Sequence, residues 1–169
     1  DGDSEFIVIL NDYFEFDKAL KEKLINLRGQ IFTLKDLDKY SKNLNELERD
    51  FTMFNGQIIN KILKNYNEEV DLIGFHGQTI FHDANNKISK QLGDGKLLSQ
   101  ITKKIVVNNF RNNDLTNNGQ GAPLTPIFHQ LLSKILIKNH ELRYPINIIN
   151  IGGITNVTQI FNDDSPNKS

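Results

Sequence analysis

Several polar, glycine-bearing stretches of this sequence carry the residue types that do chemistry. The richest is Asn109-Phe110-Arg111-Asn112-Asn113-Asp114, which continues through Gly119-Gln120-Gly121-Ala122-Pro123. Asp114 is a candidate general base and Arg111 a candidate charge partner. The stretch runs into an expected helix N-terminus, whose free N–H groups favour anions or polar ligand atoms. Its residues also suit a solvated loop, although the glycines and the absence of a charge run weigh against that.

A second stretch is Phe75-His76-Gly77-Gln78-Thr79, where a glycine between polar residues allows close approach to a ligand. On its residues alone it is equally a strand end with hydrogen-bonded side chains. In Gln91-Leu92-Gly93-Asp94-Gly95 an ordinary turn with a helix cap is the simpler account. In Asn150-Ile151-Gly152-Gly153-Ile154-Thr155-Asn156 a Gly-Gly turn could present backbone N–H groups to a phosphate, but such turns are most often plain hairpins.

Other chemistries find little support. There is no cysteine, so disulfides, thiolate nucleophiles and cysteine zinc sites are excluded. His76, His82, His129 and His140 fall in no recognised zinc spacing. No Gly-x-Ser-x-Gly elbow is present. The formal net charge of -1 and the scattered arginines give no reason to expect a nucleic acid or an anionic membrane as partner. No apolar run approaches the ~18 residues of a membrane span, and Asp1-Gly2-Asp3-Ser4 is not a secretory signal. A cytoplasmic location is the expectation.

The elements that must position these residues follow from periodicity. Phe6–Leu10 reads as a strand. Asp17 caps an expected helix with Leu20, Leu24 and Leu27 on one face and Gly29 after its end. Thr33 and Asp36 resemble a capping box. Leu47, Phe51, Phe54, Ile58 and Ile62 mark one face of a helix over 44–64. Val70–Phe75 and Ile105–Val107 read as buried strands, Asn85-Asn86 as a turn, and 96–103 as a short helix. Residues 108–121 read as a loop, with Pro123 in the first turn of the next helix. That helix shows Leu124, Ile127, Phe128, Leu131, Leu132, Ile135 and Leu136. Tyr144-Pro145 breaks the chain before a hairpin of Ile146–Ile151 and Ile154–Phe161. Strands alternating with helices predict an α/β fold with a mixed sheet flanked by helices.

Taken together, "DLIGFHGQTIFH" (71–82), "QLGDG" (91–95), "VVNNFRNNDLTNNGQGAPLTPIFH" (106–129) and "NIGGITNVT" (150–158) resemble the anhydro-N-acetylmuramic acid kinases, in order and in spacing. The resemblance runs from about Glu48 to Phe161, and "HGQT" with "NGQGAPL" is its most specific part. It implies a ribonuclease H-like, actin-like ATPase lobe of the sugar kinase superfamily. The implied reaction is hydrolytic opening of 1,6-anhydro-N-acetylmuramic acid coupled to phosphorylation of O6 by ATP, in peptidoglycan recycling. Mg²⁺ would arrive with the nucleotide, and no metal held by the protein alone is expected.

By position, Asp114 matches the family's water-activating aspartate. His76, Gly77, Gln78, Thr79, Asp94, Arg111, Gln120 and Gly121 match the sugar site. Gly152, Gly153 and Asn156 match the second phosphate loop. Asn109 stands where an acidic residue is usual, and Asn118 where glycine is usual. The resemblance further implies that the first phosphate loop lies upstream of Asp1, so that the chain is truncated at both ends and inactive alone. Residues 1–143 would belong to the sugar lobe and 144–169 would begin the nucleotide lobe, in a possible homodimer. A kinase for a related anhydro sugar such as levoglucosan, or a non-catalytic sugar-binding relative, stays open beside the main reading.

Overall fold

In a computed structural model of the chain, the described residues are 6–140, 142–151 and 155–162. They fall into two compact units. One is Tyr13–Gly121, and the other draws its described residues from 6–12 and from 122 onward.

The larger unit begins with a helical layer. Helix α1 (Lys18–Arg28) starts at Asp17, whose carboxylate accepts the Leu20 N–H at 2.8 Å, and buries Leu20, Leu24 and Leu27 before ending at Gly29. Such a cap is worth about 1 kcal/mol. Helix α2 (Leu34–Lys39) opens on Thr33. There the Asp36 carboxylate accepts from the N–H groups of Phe32 and Thr33 and from the Thr33 hydroxyl, and these bonds hold Asp36 below the usual carboxylate range. Helix α3 (Ser41–Asn65) buries Leu44, Leu47, Phe51, Thr52 and Gly56. At Gly56 an added Cβ would lie 2.8 Å from Ile101 Cγ2, so the glycine sets how closely α3 meets the helix carrying Ile101.

Strand β1 (Leu72–Phe75) pairs in parallel with β4 (Ile105–Asn108). Between them lie β2 (Gln78–Asp83), β3 (Ile88–Leu92) and helix α4 (Gly95–Thr102). Strands β2 and β3 form an antiparallel hairpin around Asn85-Asn86, with Asp83 accepting both the backbone and the side-chain amide of Asn86. Helix α5 (Phe110–Thr116) follows β4. The core gathers Leu44, Leu47, Phe51, Phe75, Ile80, Leu92 and Leu98, with Leu92 and Leu98 fully buried. Full burial of one such side chain stabilises by about 1.5–3 kcal/mol. Phe51 stacks on Phe75 with centroids 6.0 Å apart, which seats the end of β1 against α3.

In the smaller unit, helix α6 (Pro126–His140) precedes strands β5 (Ile146–Ile151) and β6 (Thr155–Ile160), which pair antiparallel from Ile146 with Ile160 to Ile151 with Thr155. Pro126, Leu131, Ser133, Thr158 and Ile160 are buried there, and the rings of Phe6 and Phe128 meet with centroids 4.9 Å apart.

The architecture is mixed α/β, as expected, but the described strands pair as three two-stranded sheets rather than as one mixed sheet. Other expectations need correction. Phe6–Leu10 forms no strand, and Ile7–Leu10 are exposed. An apolar run becomes a strand only where its N–H and C=O groups find partners, and this one has no paired neighbour among the described residues. β1 and β4 are strands but not buried ones, since Leu72 is 54% and Ile105 68% exposed and only Phe75 of β1 is buried. Residues 110–116 are helical, not loop. Pro126, rather than Pro123, occupies the first helical position of α6, the place where a missing N–H costs nothing. Ile127 and Phe128 are exposed, so the α6 apolar residues do not all share one buried face.

Candidate active site

The site residues of the larger unit lie beyond the carboxyl ends of its parallel strands. His76 follows β1, and Asn109 follows β4 and leads into α5, which carries Arg111 and Asp114. Ligands in open α/β folds bind outside these strand ends, because the turns there are free to vary and helix N-termini face the crevice.

A chain of hydrogen bonds joins these residues. The Gly121 N–H donates to Asp114 Oδ2 at 2.7 Å. The Gly121 carbonyl accepts from the Arg111 guanidinium at 2.8 Å. Arg111 Nε donates to His76 Nε2 at 3.2 Å. His76 Nδ1 lies 2.9 Å from the Gly77 carbonyl. The guanidinium has only protons to give, so Nε2 must accept. Nδ1 then carries the ring proton and donates it to Gly77, which fixes both tautomer and ring plane. Burial pulls Arg111 below its ordinary value, yet a guanidinium keeps its charge at neutral pH. Arg111 forms no ion pair with Asp114 among the described residues, so it orders the loop through Gly121 instead of neutralising the carboxylate.

Backbone geometry explains the glycines. Gly77 has φ +73 and Gly121 has φ +69, both in the left-handed region. An added Cβ at Gly77 would strike the Leu92 carbonyl, and one at Gly119 would strike the Asp114 carboxylate. The chain therefore folds tightly over Asp114, leaving it half-buried. Asn118 has φ +67, so asparagine occupies the position where the resemblance expects glycine in a conformation asparagine tolerates. Its side chain accepts from Lys87 at 2.7 Å. Asn109 is also left-handed, at φ 61, and N-caps α5 without a side-chain bond.

A cleft of about 210 Å³ opens beside His76. Phe75 and Gly93 line it together with the polar side chains of Ser89, Gln91, Asn108 and Asn112. Amide and hydroxyl groups can each donate and accept, as hydroxyl-rich ligands require.

The expected residues separate into groups. His76, Gly77, Arg111, Gly121 and Asp114 form the bonded chain described above. Thr79 accepts from Gln91 at 3.0 Å within the β2–β3 hairpin, and Gln78 pairs with Leu92. Asp94 is the N-cap of α4, accepting from the Leu97 N–H at 3.0 Å. Gln120 is exposed. Asn156 pairs with Asn150 in the smaller unit, while Gly152 and Gly153 lie outside the described residues. Sequence reasoning missed Glu48 and Thr52 of α3, whose side chains accept the N–H groups of Gly93 and Asp94 at 3.2 and 3.0 Å. Polar residues within an amphipathic helix read as its solvent face, so nothing in the local pattern marked them.

Fold and site together define a mixed α/β protein with a polar cleft at the carboxyl ends of its parallel strands, whose lining residue His76 is joined through Arg111 and Gly121 to the Asp114 carboxylate. Comparison with known proteins narrows this. The family model for anhydro-N-acetylmuramic acid kinase matches residues 2–168, and the chain belongs to that family. It is 50% identical over 165 residues to the anhydro-N-acetylmuramic acid kinase of Pelagibacter ubique (strain HTCC1062), covering 98% of this chain and 43% of that protein. Its identity to the Brucella canis enzyme of the same name is 36% over 156 residues, covering 90% of this chain and 40% of the relative. With that of Agrobacterium fabrum it is 34% over 163 residues, covering 95% and 43%. The chain thus spans less than half the length of the curated relatives it matches.

Proposed function

We propose that the protein carrying this chain converts 1,6-anhydro-N-acetylmuramic acid, ATP and water to N-acetylmuramic acid 6-phosphate and ADP, in peptidoglycan recycling. The observation that carries this reading is the Asp114–Gly121–Arg111–His76 chain of hydrogen bonds beside a polar cleft. With Oδ2 held by Gly121, Oδ1 takes no protein hydrogen bond among the described residues and can receive a proton. Asp114 takes the proton of a water whose oxygen bonds to the anomeric carbon. The C1–O6 bond breaks, O6 bonds to the γ-phosphorus of ATP, and ADP leaves. Joining the steps spares O6 from leaving as a free alkoxide.

His76, Gly77, Gln78, Thr79, Asp94, Arg111, Gln120 and Gly121 form or support the sugar site in this reading. Gly152, Gly153 and Asn156 are assigned to nucleotide-phosphate binding in this reading. The chain would contribute most of a ribonuclease H-like, actin-like sugar lobe up to residue 143 and the first part of the nucleotide lobe from 144. ATP would bring Mg²⁺ bound to its phosphate oxygens. No group of three His, Asp or Glu side chains among the described residues could hold a metal ion, so no residue here is assigned to it. No described helix is long and apolar enough to cross a membrane. In this reading the protein works in the cytoplasm as a homodimer.

The test is a kinase assay of the complete protein with ATP and either 1,6-anhydro-N-acetylmuramic acid or levoglucosan. Phosphorylated, ring-opened N-acetylmuramic acid is the expected product. Turnover of levoglucosan alone would move the protein to a neighbouring specificity, and turnover of neither would overturn the kinase reading.

A further inference from the structure

We propose that Glu48 and Thr52 of α3 are positioning residues that hold the floor of the sugar cleft and, through it, the tautomer of His76. This rests on the function proposed above.

The two side chains stand one helical turn apart and engage consecutive backbone N–H groups. Glu48 Oε1 accepts from Gly93 at 3.2 Å and from the Lys90 ammonium at 3.1 Å. Thr52, fully buried, accepts from Asp94 at 3.0 Å while its hydroxyl donates to the Glu48 carbonyl at 2.6 Å. The 93–94 turn is therefore clamped to α3 at two adjacent peptides.

That turn supports the catalytic side directly. A Cβ at Gly93 would lie 2.7 Å from the Phe75 ring and 3.4 Å from Gly77 Cα. Gly93 thus packs against the residues on either side of His76, and a Cβ at Gly77 would in turn strike the Leu92 carbonyl. The two turns fit only one way. Movement of the 92–94 backbone would displace the Gly77 carbonyl that receives the His76 Nδ1 proton, and His76 is the partner of Arg111 Nε. Gly93 also lines the cleft itself.

The test uses the complete protein with Thr52→Val, Thr52→Ser, Glu48→Ala and Glu48→Gln. Valine keeps the volume and removes the acceptor, whereas serine and glutamine each keep an oxygen for the amide. Val and Ala variants should lose roughly ten- to a hundredfold in kcat/KM for the anhydro sugar, because small misplacements far from the chemistry carry that cost. Their KM for the sugar should rise while KM for ATP is unchanged, and Ser and Gln should recover most of the loss. A clamp that serves folding alone would lower the active fraction without moving either KM, and that pattern overturns the proposal.

The ring ¹⁵N shifts of His76 read the same claim without turnover. Wild type should show one Nδ1–H tautomer, and Thr52→Val a mixture. An unchanged tautomer in both Thr52→Val and Glu48→Ala also overturns it. If wild type turns over no anhydro sugar, the function reading fails, and the imidazole spectra still decide the positioning claim.

Discussion

Replacing Gly77 with alanine should be among the most damaging single-methyl changes this chain can take. Two costs add. The backbone is at φ +73, where a Cβ costs roughly 1–2 kcal/mol. The new methyl also meets the Leu92 carbonyl, with the carbonyl carbon at 3.2 Å. Leu92 is fully buried and hydrogen-bonded in the β2–β3 ladder, so its backbone cannot step aside as a flexible side chain would. Overpacking of this kind costs about 1–3 kcal/mol. The sum is roughly 2–5 kcal/mol, or a fall in Tm on the order of 10–20 °C for a small domain. Gly29→Ala is the control. Gly29 has φ -68, and its added Cβ would stand 3.4 Å from the Ile25 carbonyl oxygen, ordinary contact. It should be neutral or more stable by about 0.4–1 kcal/mol, through loss of unfolded-chain entropy. Thermal and urea denaturation followed by circular dichroism measures both. Equal stabilities for the two variants would refute the reasoning, since it assigns their difference to backbone conformation and one carbonyl.

Asp17→Ala removes the cap of α1 and should cost about 1 kcal/mol in the same denaturation experiment, with Asp17→Asn costing much less. Burial lowers the pKa of His129, whose Nδ1 lies 2.8 Å from Thr158 Oγ1. The unfolded chain therefore binds this proton more readily than the folded one. Stability from this group is complete above the unfolded value of about 6.5 and is lost as pH falls through the lower folded value. His129→Gln should flatten that part of a stability-against-pH curve. Leu98→Ala, at a fully buried position of α4, should cost about 2–5 kcal/mol by urea denaturation.

Elements whose signals are local were legible from sequence. Asp17, the Leu20-Leu24-Leu27 face and Gly29 give α1 its start, its buried side and its end within one segment. The long apolar face of α3 and the β5–β6 pair were likewise visible. The β2–β3 hairpin was not, because the register shifts between Thr79 and Phe81 and so breaks the two-residue alternation that marks a strand. Helix α5 was missed because its two turns carry apolar side chains only at Phe110 and Leu115, too few to show a period. The reverse error fell on Phe6–Leu10, where composition favours a strand but no described neighbour pairs with it.

In the candidate site, residue types pointed to Asp114 and Arg111, and resemblance supplied their roles. Geometry adds that Arg111, the candidate charge partner, bridges His76 and the Gly121 carbonyl. The bonds of Glu48 to Gly93 and of Thr52 to Asp94 join residues 45 and 42 positions apart, a relation no local pattern encodes.

The role of Asp114 as the base is tested most directly by Asp114→Asn in the complete protein, with turnover of 1,6-anhydro-N-acetylmuramic acid and its binding measured side by side. Asparagine can still accept the Gly121 N–H through its amide oxygen, so the loop should keep its shape, but it cannot take a proton from water. Turnover should fall by at least about 10²–10⁴-fold while sugar affinity by calorimetry stays close to wild type. Wild-type rates in that variant would contradict the assignment.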